Sequence, residues 1–339
     1  MKAIGFTEHL PINNPHSLYE FQAAVPNLHP HDLLVNVAAS SVNPVDTYIR
    51  KGGRGKLKSP KIIGYDACGI VVKAGAAVTL FKPGDRVFYA GSILRPGSNS
   101  EYQLVDERIV GHAPQTLSDA QAAVMPLTSL TAYEALFEQL GISQSSQTNS
   151  GKTILIINGT GGVGSVATQL AHLAGLTVIA TASHPKGIQW TTEHGAQLVV
   201  NHHQDLVKQV RSHGYKYVDY ILGLSNIGAH WKEMCQLIKP NGSIVSITEN
   251  RRPINLSLLT KKRAHFAWEW MYTKSYYSTH DMITRHQILD RVAQLLDDHL
   301  LSCTLTKELT PFTAANLRQG HRLVESGHMI GKVAISGWK

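Results

Sequence analysis

Residues Thr153 to Gly164 read TILIINGTGGVG. The aliphatic run Ile154 to Ile157 leads into Gly159-Thr160-Gly161-Gly162-Val163-Gly164. From Ser165 to Leu173 the spacing is helical. Strand, G-x-G-x-x-G and helix, in that order, hold a dinucleotide pyrophosphate. The glycines let the main chain turn tightly and approach the phosphates. The helix start then offers unpaired N–H groups and the positive end of its dipole. Gly159, Gly161, Gly162, Val163 and Gly164 are therefore expected to bind the cofactor.

A chain of 339 residues, 43% hydrophobic and 17% charged, has room for two domains and a sizeable core. The start, MKAIGFTEHLP, has no apolar signal core, and no apolar run approaches membrane-spanning length. Cys68, Cys235 and Cys303 are dispersed and odd in number, which argues against a disulfide framework and for a reducing, cytoplasmic setting. The net charge of +8 raises the question of nucleic acid. Its densest cluster is only Lys261-Lys262-Arg263, and no basic stripe interleaves with aromatics, so nucleic acid is not an expected partner. His29, His31, His202 and His203 lack the partner set of a metal site.

Residues 1–124 are β-rich in pattern. Leu33 to Val37, Gly69 to Val72 and Arg86 to Tyr89 read as strands, the last following the turn Lys82-Pro83-Gly84-Asp85. From residue 125 strands and helices alternate. Ala120 to Val124 and Leu130 to Leu140 are helical in spacing. Short strands at Ile154 to Ile157, Thr177 to Thr181, Leu198 to Val200, Val218 to Leu222 and Ser243 to Ile247 predict a right-handed, doubly wound parallel sheet over 125–264. After residue 265 the pattern changes again. Ile288, Val292, Leu295 and Leu296 form one apolar helical stripe, and Gly331 to Ile335 reads as a strand. The segment 265–339 is expected to rejoin 1–124, making that domain discontinuous. Ser143 to Gly151 reads as a polar loop.

An NAD site usually carries an acid at the end of the second strand, about 20 residues past the first glycine. Here Thr177 to Thr181 runs into Ala182-Ser183-His184-Pro185-Lys186, with no acid. Ser183 and His184 can donate to a 2′-phosphate and Lys186 brings positive charge, which favours NADPH.

The chain resembles the medium-chain dehydrogenase/reductase superfamily over nearly its whole length. The resemblance rests on VNPVDTYIRKG (Val42 to Gly53), IIGYDACGIV (Ile62 to Val71), FKPGDRVF (Phe81 to Phe88), LTSLTAYEAL (Leu127 to Leu136), INGTGGVGSVATQLA (Ile157 to Ala171) and GKVAI (Gly331 to Ile335). The branch it is most similar to is the zinc-independent quinone oxidoreductases related to zeta-crystallin, often called zinc-type alcohol dehydrogenase-like. The resemblance implies an α/β chain with a GroES-like catalytic domain and a Rossmann domain, and a homodimer. Where zinc-dependent members place their metal ligands, this sequence has Asn43, Tyr65 and Leu127, which do not make a zinc site. Asp46 and Asp66 lie near these positions, and the segment between Val87 and Glu101 has no Cys for a structural zinc lobe.

By the same resemblance Asn43 and Tyr48 stand beside the nicotinamide. Tyr48 is expected to donate a hydrogen bond or proton to developing negative charge, and Asn43 to orient substrate or ribose. Thr131 is expected to bond the carboxamide, His202 to pack near the adenosine phosphate, Lys332 to serve the cofactor, and Tyr65 to line the substrate pocket. The implied activity is NADPH-dependent reduction of quinones or α,β-unsaturated carbonyls by hydride transfer without zinc. A metal-free carbonyl or alcohol oxidoreductase, and a non-catalytic NADPH-binding protein acting on RNA or as a sensor, are the competing readings. The aromatic segment Trp268 to Tyr277 is expected to pack rather than to form a lid.

Overall fold

The structure, a computed structural model, describes residues 1–249 and 252–338. It divides into two compact units. One is Met1–Leu130 with Tyr272–Lys339 and the other is Thr131–Met271.

In chain order the first unit opens with β1 (Lys2–Glu8), β2 (Tyr19–Gln22), β3 (Asp32–Ser41), α1 (Pro44–Lys51), β4 (Lys56–Ile62), β5 (Asp66–Ala74), β6 (Arg86–Tyr89), β7 (Tyr102–Asp106), β8 (Val110–His112) and α2 (Asp119–Ala123). The chain changes units within α3 (Pro126–Tyr133). It continues through β9 (Thr153–Ile157), α4 (Gly162–Leu173), β10 (Thr177–Thr181), α5 (Pro185–Glu193), β11 (Leu198–Val200), α6 (Leu206–Ser212), β12 (Val218–Gly223), α7 (Ile227–Leu237), β13 (Ile238–Ser246) and β14 (His265–Trp268). It returns with α8 (Thr273–Tyr277), α9 (Thr284–Asp297), β15 (Leu305–Leu309), α10 (Ala314–Glu325) and β16 (Lys332–Ser336).

The second unit is a six-stranded parallel sheet in the order β11-β10-β9-β12-β13-β14. Helices follow the strands, so a central strand is covered on both faces and reads as an unbroken apolar run. All five residues of β9 are buried. The winding reverses between β9 and β12, which is where doubly wound sheets open their ligand crevice. Asn158, at φ 71°, turns the chain sharply out of β9.

In the first unit, β3 is the organiser. Its N-terminal half pairs with β7, its last three residues with β16, and its whole length with β5. The order of the seven-stranded sheet is β15-β16-β3-β5-β6-β8, with β7 added on β3. Leu33, Val35, Val37, Val71, Val87 and Val105 form its core. The α9 stripe, Ile288, Val292, Leu295 and Leu296, is buried as expected.

Three expectations need revision. His265–Trp268 is not part of the returning segment, because β14 pairs with β13 in the parallel sheet. Leu130 to Leu140 is not one α-helix, since α3 passes into a π-helical turn, Glu134–Gln139. The polar stretch after Ser143 holds a 3-10 turn, Ser146–Asn149.

Candidate functional site

In the first unit three neighbouring strands deliver polar side chains to one buried point. Ser41 on β3 stands opposite Asp66 on β5, and Ala334 on β16 stands opposite Ser41. This register brings Lys332 beside the start of α1. Asp66, with no exposed surface, accepts four hydrogen bonds. Its Oδ2 takes them from Ser41 Oγ at 2.7 Å, Asn43 Nδ2 at 2.7 Å and Lys332 Nζ at 3.1 Å. Its Oδ1 takes one from the backbone N–H of Leu127 at 2.7 Å. The ammonium also donates to Asn43 Oδ1 and to the carbonyl of Val42 at 3.3 Å. Asp46 completes the group, accepting from the N–H of Asn43 at 2.7 Å and of Gly64 at 3.1 Å.

The arrangement encloses two carboxyl groups and one ammonium. Lys332 lies within salt-bridge distance of Asp66, and the donors to Asp46 among the described residues are the neutral N–H groups of Asn43 and Gly64. Burial raises Asp46 to about 7, against the lowering pull of its hydrogen bonds and of Lys332. Its negative charge is costly because desolvation disfavours the ionised form.

These contacts place two of the expected site residues inside the cluster. Asn43 is buried with both side-chain polar atoms bonded within it. Lys332, expected to serve the cofactor, is 4% exposed with its ammonium turned onto Asp66 and Asn43. The sequence reading missed Ser41, and it saw Asp46 and Asp66 only as nearby acids. The available signal was Asp46 three residues after Asn43, the spacing of a reciprocal helix cap.

Tyr48 lies one turn into α1 and is 59% exposed, so its phenol is available. Tyr65 is fully buried and packs edge-on against Tyr272 with ring centroids 5.7 Å apart. Its hydroxyl finds no partner among the described residues. Burial pushes the phenol well above its ordinary range. Of the five aromatic residues in the segment Trp268 to Tyr277, Tyr272 is buried. Trp268, Trp270, Tyr276 and Tyr277 are exposed, contrary to the packing expected of them.

In the second unit the glycine loop is packed closely against its own surroundings. A Cβ on Gly164 would stand 2.2 Å from the carbonyl oxygen of Asn158, and one on Gly159 3.0 Å from Ala180 Cβ. Helix α4 starts at Gly162 and no side chain caps it, so its first-turn N–H groups have no intrahelical acceptor. Thr181 at the end of β10 faces Val200 at the end of β11, and the N–H of Ala182 donates to the Val200 carbonyl at 3.0 Å. The turn holding Ser183 and His184, with Lys186 at the start of α5, thus lies beside the turn holding His202. Ser183 is half-buried, and His184 and Lys186 are exposed. Thr131, in α3, is buried.

The chain matches two family models, "Alcohol dehydrogenase GroES-like domain" over residues 29–115 and "Zinc-binding dehydrogenase" over residues 162–285. A zinc-type alcohol dehydrogenase-like protein of Staphylococcus epidermidis is 40% identical over 99% of both chains. The NADPH-dependent alkenal/one oxidoreductase of Arabidopsis thaliana chloroplasts is 32% identical over 68% of this chain and 58% of its own. The 2-methylene-furan-3-one reductase of Solanum lycopersicum is 32% identical over 73% and 62%. Among solved structures, a Rhizobium etli protein provisionally named a zinc-dependent alcohol dehydrogenase superposes with a TM-score of 0.95 at 43% identity, over 100% of this chain and 98% of that one. The quinone oxidoreductase of Coxiella burnetii gives 0.81 at 25% identity, over 100% and 99%.

Several of these names imply zinc, but the donors here do not fit it. Asn43 offers an amide already bonded at both ends, Tyr65 a phenol held protonated by burial, and Leu127 a hydrocarbon. Zinc takes thiolate, imidazole or carboxylate. Of the two carboxyl groups at the centre, Asp66 is already in contact with an ammonium and burial raises Asp46 toward its protonated form. Among the described residues no group of three or more His, Cys, Asp or Glu is arranged to hold a metal ion.

Proposed function

The chain belongs to the medium-chain dehydrogenase/reductase superfamily of oxidoreductases, and from that premise we propose that it reduces quinones or α,β-unsaturated carbonyls with NADPH and without catalytic zinc. One observation carries the reading. Of Asn43, Tyr65 and Leu127, the positions that by resemblance correspond to zinc ligands, none offers a zinc donor, and Asn43 is tied into a closed network with Lys332 and Asp66. Alcohol oxidation leans on a Lewis acid at the alkoxide. Reduction of an activated C=C or a quinone needs only a hydride and a hydrogen-bond donor for the oxygen that gains charge. The names of the Arabidopsis and Solanum relatives agree with that chemistry.

Each residue has a task in this scheme. NADPH, when bound, supplies the hydride. Gly159, Gly161, Gly162, Val163 and Gly164 bind the pyrophosphate at the start of α4. Ser183, His184, Lys186 and His202 take the 2′-phosphate, and Thr131 the carboxamide. Tyr48 donates to the developing enolate or quinol oxygen. Asn43, Lys332 and Asp66 fix the start of α1 and hence where Tyr48 stands. Tyr65 closes the wall of the substrate pocket. No described helix is long and apolar enough to cross a membrane, and the reading is of a cytoplasmic enzyme. The outer edge of β14, whose last residue Trp268 is 49% exposed, is a sheet edge through which a homodimer can form.

The test is NADPH oxidation with a quinone, an enone, a ketone and a primary alcohol plus NADP, together with elemental analysis and light scattering. Turnover of the quinone or enone, insensitive to chelators, is expected. Alcohol oxidation dependent on one tightly held zinc per chain would overturn the reading.

A further inference from the structure

Four histidines gather at the end of the sheet where β10 and β11 finish. His184 follows β10, and His202 and His203 follow β11. His230 reaches the same place from α7. The rings of His202 and His203 lie 4.4 Å apart, and those of His202 and His230 lie 6.4 Å apart and perpendicular. His202 Nδ1 is buried and finds no partner among the described residues. The other charged groups around them are few. Lys186 follows His184 on α5. Glu233 on α7 accepts from the N–H of Leu206 at 2.9 Å and lies 2.9 Å from His230 Nδ1. Asp205 caps α6 by accepting from the N–H of Lys208. Both acids are thus engaged, and among the described residues His202 has no carboxylate partner.

We propose that His184, His202, His203 and His230 form a proton-loaded receptor for the cofactor's 2′-phosphate, so that affinity for NADPH, and its preference over NADH, strengthens as pH falls. The proposal rests on the NADPH reading above and adds its regulation. Burial and the three neighbouring imidazoles hold His202 below its ordinary range, which favours its neutral ring in the empty protein. A phosphate dianion placed against the cluster reverses the balance, because a nearby opposite charge favours the protonated ring. Binding then takes up protons. NADH carries no charge at that position and triggers no uptake.

Linkage gives the size. A site that takes up one proton on binding tightens about tenfold per pH unit between its free and bound pKa values. With partial uptake, NADPH is expected to bind about three- to tenfold more tightly at pH 6.5 than at pH 8, while NADH changes little. Work above pH 6.5 keeps the 2′-phosphate largely dianionic, since its second pKa is about 6.

The experiment titrates the full chain with NADPH and with NADH by fluorescence from pH 6.5 to 8. Calorimetry in two buffers of different ionisation enthalpy counts protons taken up. His202→Gln and His230→Gln should each flatten the NADPH profile, with thermal melting confirming that they fold. If either fails to fold, the wild-type proton count still decides. A preference for NADPH that is independent of pH, with no proton uptake, would overturn this proposal and leave the cofactor assignment standing. Equal tightening of both cofactors would also overturn it, placing the protons at the pyrophosphate. Equal affinity for both at every pH would overturn the cofactor assignment itself.

Discussion

Asp46→Asn should remove a pH dependence from the stability of the first unit. Burial lifts the Asp46 carboxyl from 3.8 to about 7. An acid whose pKa is raised by folding holds its proton longer in the native state than in the unfolded chain. Unfolding free energy therefore falls as pH rises from about 4 to about 7, and levels off above. At about 1.36 kcal/mol per unit, three units amount to about 4 kcal/mol. The amide has no charge to bury, so the variant lacks this slope. It loses an acceptor, because the carboxylate oxygens take separate N–H groups from Asn43 and Gly64, at a cost of about 1–3 kcal/mol at all pH values. Relative to wild type, Asp46→Asn is thus destabilised at pH 4.5 and regains about 3 kcal/mol by pH 8. Scanning calorimetry of both proteins across that range makes the comparison. Other titrating groups, such as His321, which burial holds near 3, act equally in both and cancel. Parallel stability profiles would show that Asp46 ionises normally and that the charge imbalance argued for the cluster is wrong.

Lys332→Met leaves Asp66 buried without its ammonium, and loss of one partner from such a pair costs about 3–5 kcal/mol. Denaturant midpoints should show it, and adding Asp66→Asn should restore part. Tyr48→Phe should lower quinone turnover while NADPH affinity and melting temperature hold, because the phenol acts on charge present only in the transition state; unchanged turnover would make Tyr48 a wall. Gly164→Ala puts a methyl 2.2 Å from a carbonyl oxygen, which should abolish binding of both cofactors, measured by fluorescence titration.

The strands were legible wherever an apolar run met turn residues at both ends. β6, β10 and β11 begin and end where the residues foretell. Helix α4 starts three residues earlier than its spacing announces, because the glycines enter the helix despite poor propensity, with Gly164 held close to the Asn158–Gly159 turn that follows β9. The glycine loop and the missing acid after β10 were local features and could be read. The buried cluster could not. Asn43 and Lys332 stood out as polar residues, but their partner is decided by the pairing of β16 with β3, which no local pattern encodes. The exposure of Trp268 and Trp270 was hidden for a related reason. His265–Trp268 is too short to show a period, so its place at the sheet edge emerges only from pairing with β13.

The placement of Lys332 also sets a schedule for synthesis. Asp66 and Lys332 are 266 residues apart in sequence. At about 5–20 residues per second, the interval between them on a ribosome is on the order of ten to fifty seconds. The second unit is contiguous and is complete before β16 has been made. Throughout that interval the early strands wait with the Ala39–Ser41 edge of β3 unpaired and a carboxylate lacking its cation. The nascent chain is most exposed to misassembly while its first sheet is nearly finished, and the strand that closes the sheet brings the neutralising ammonium with it.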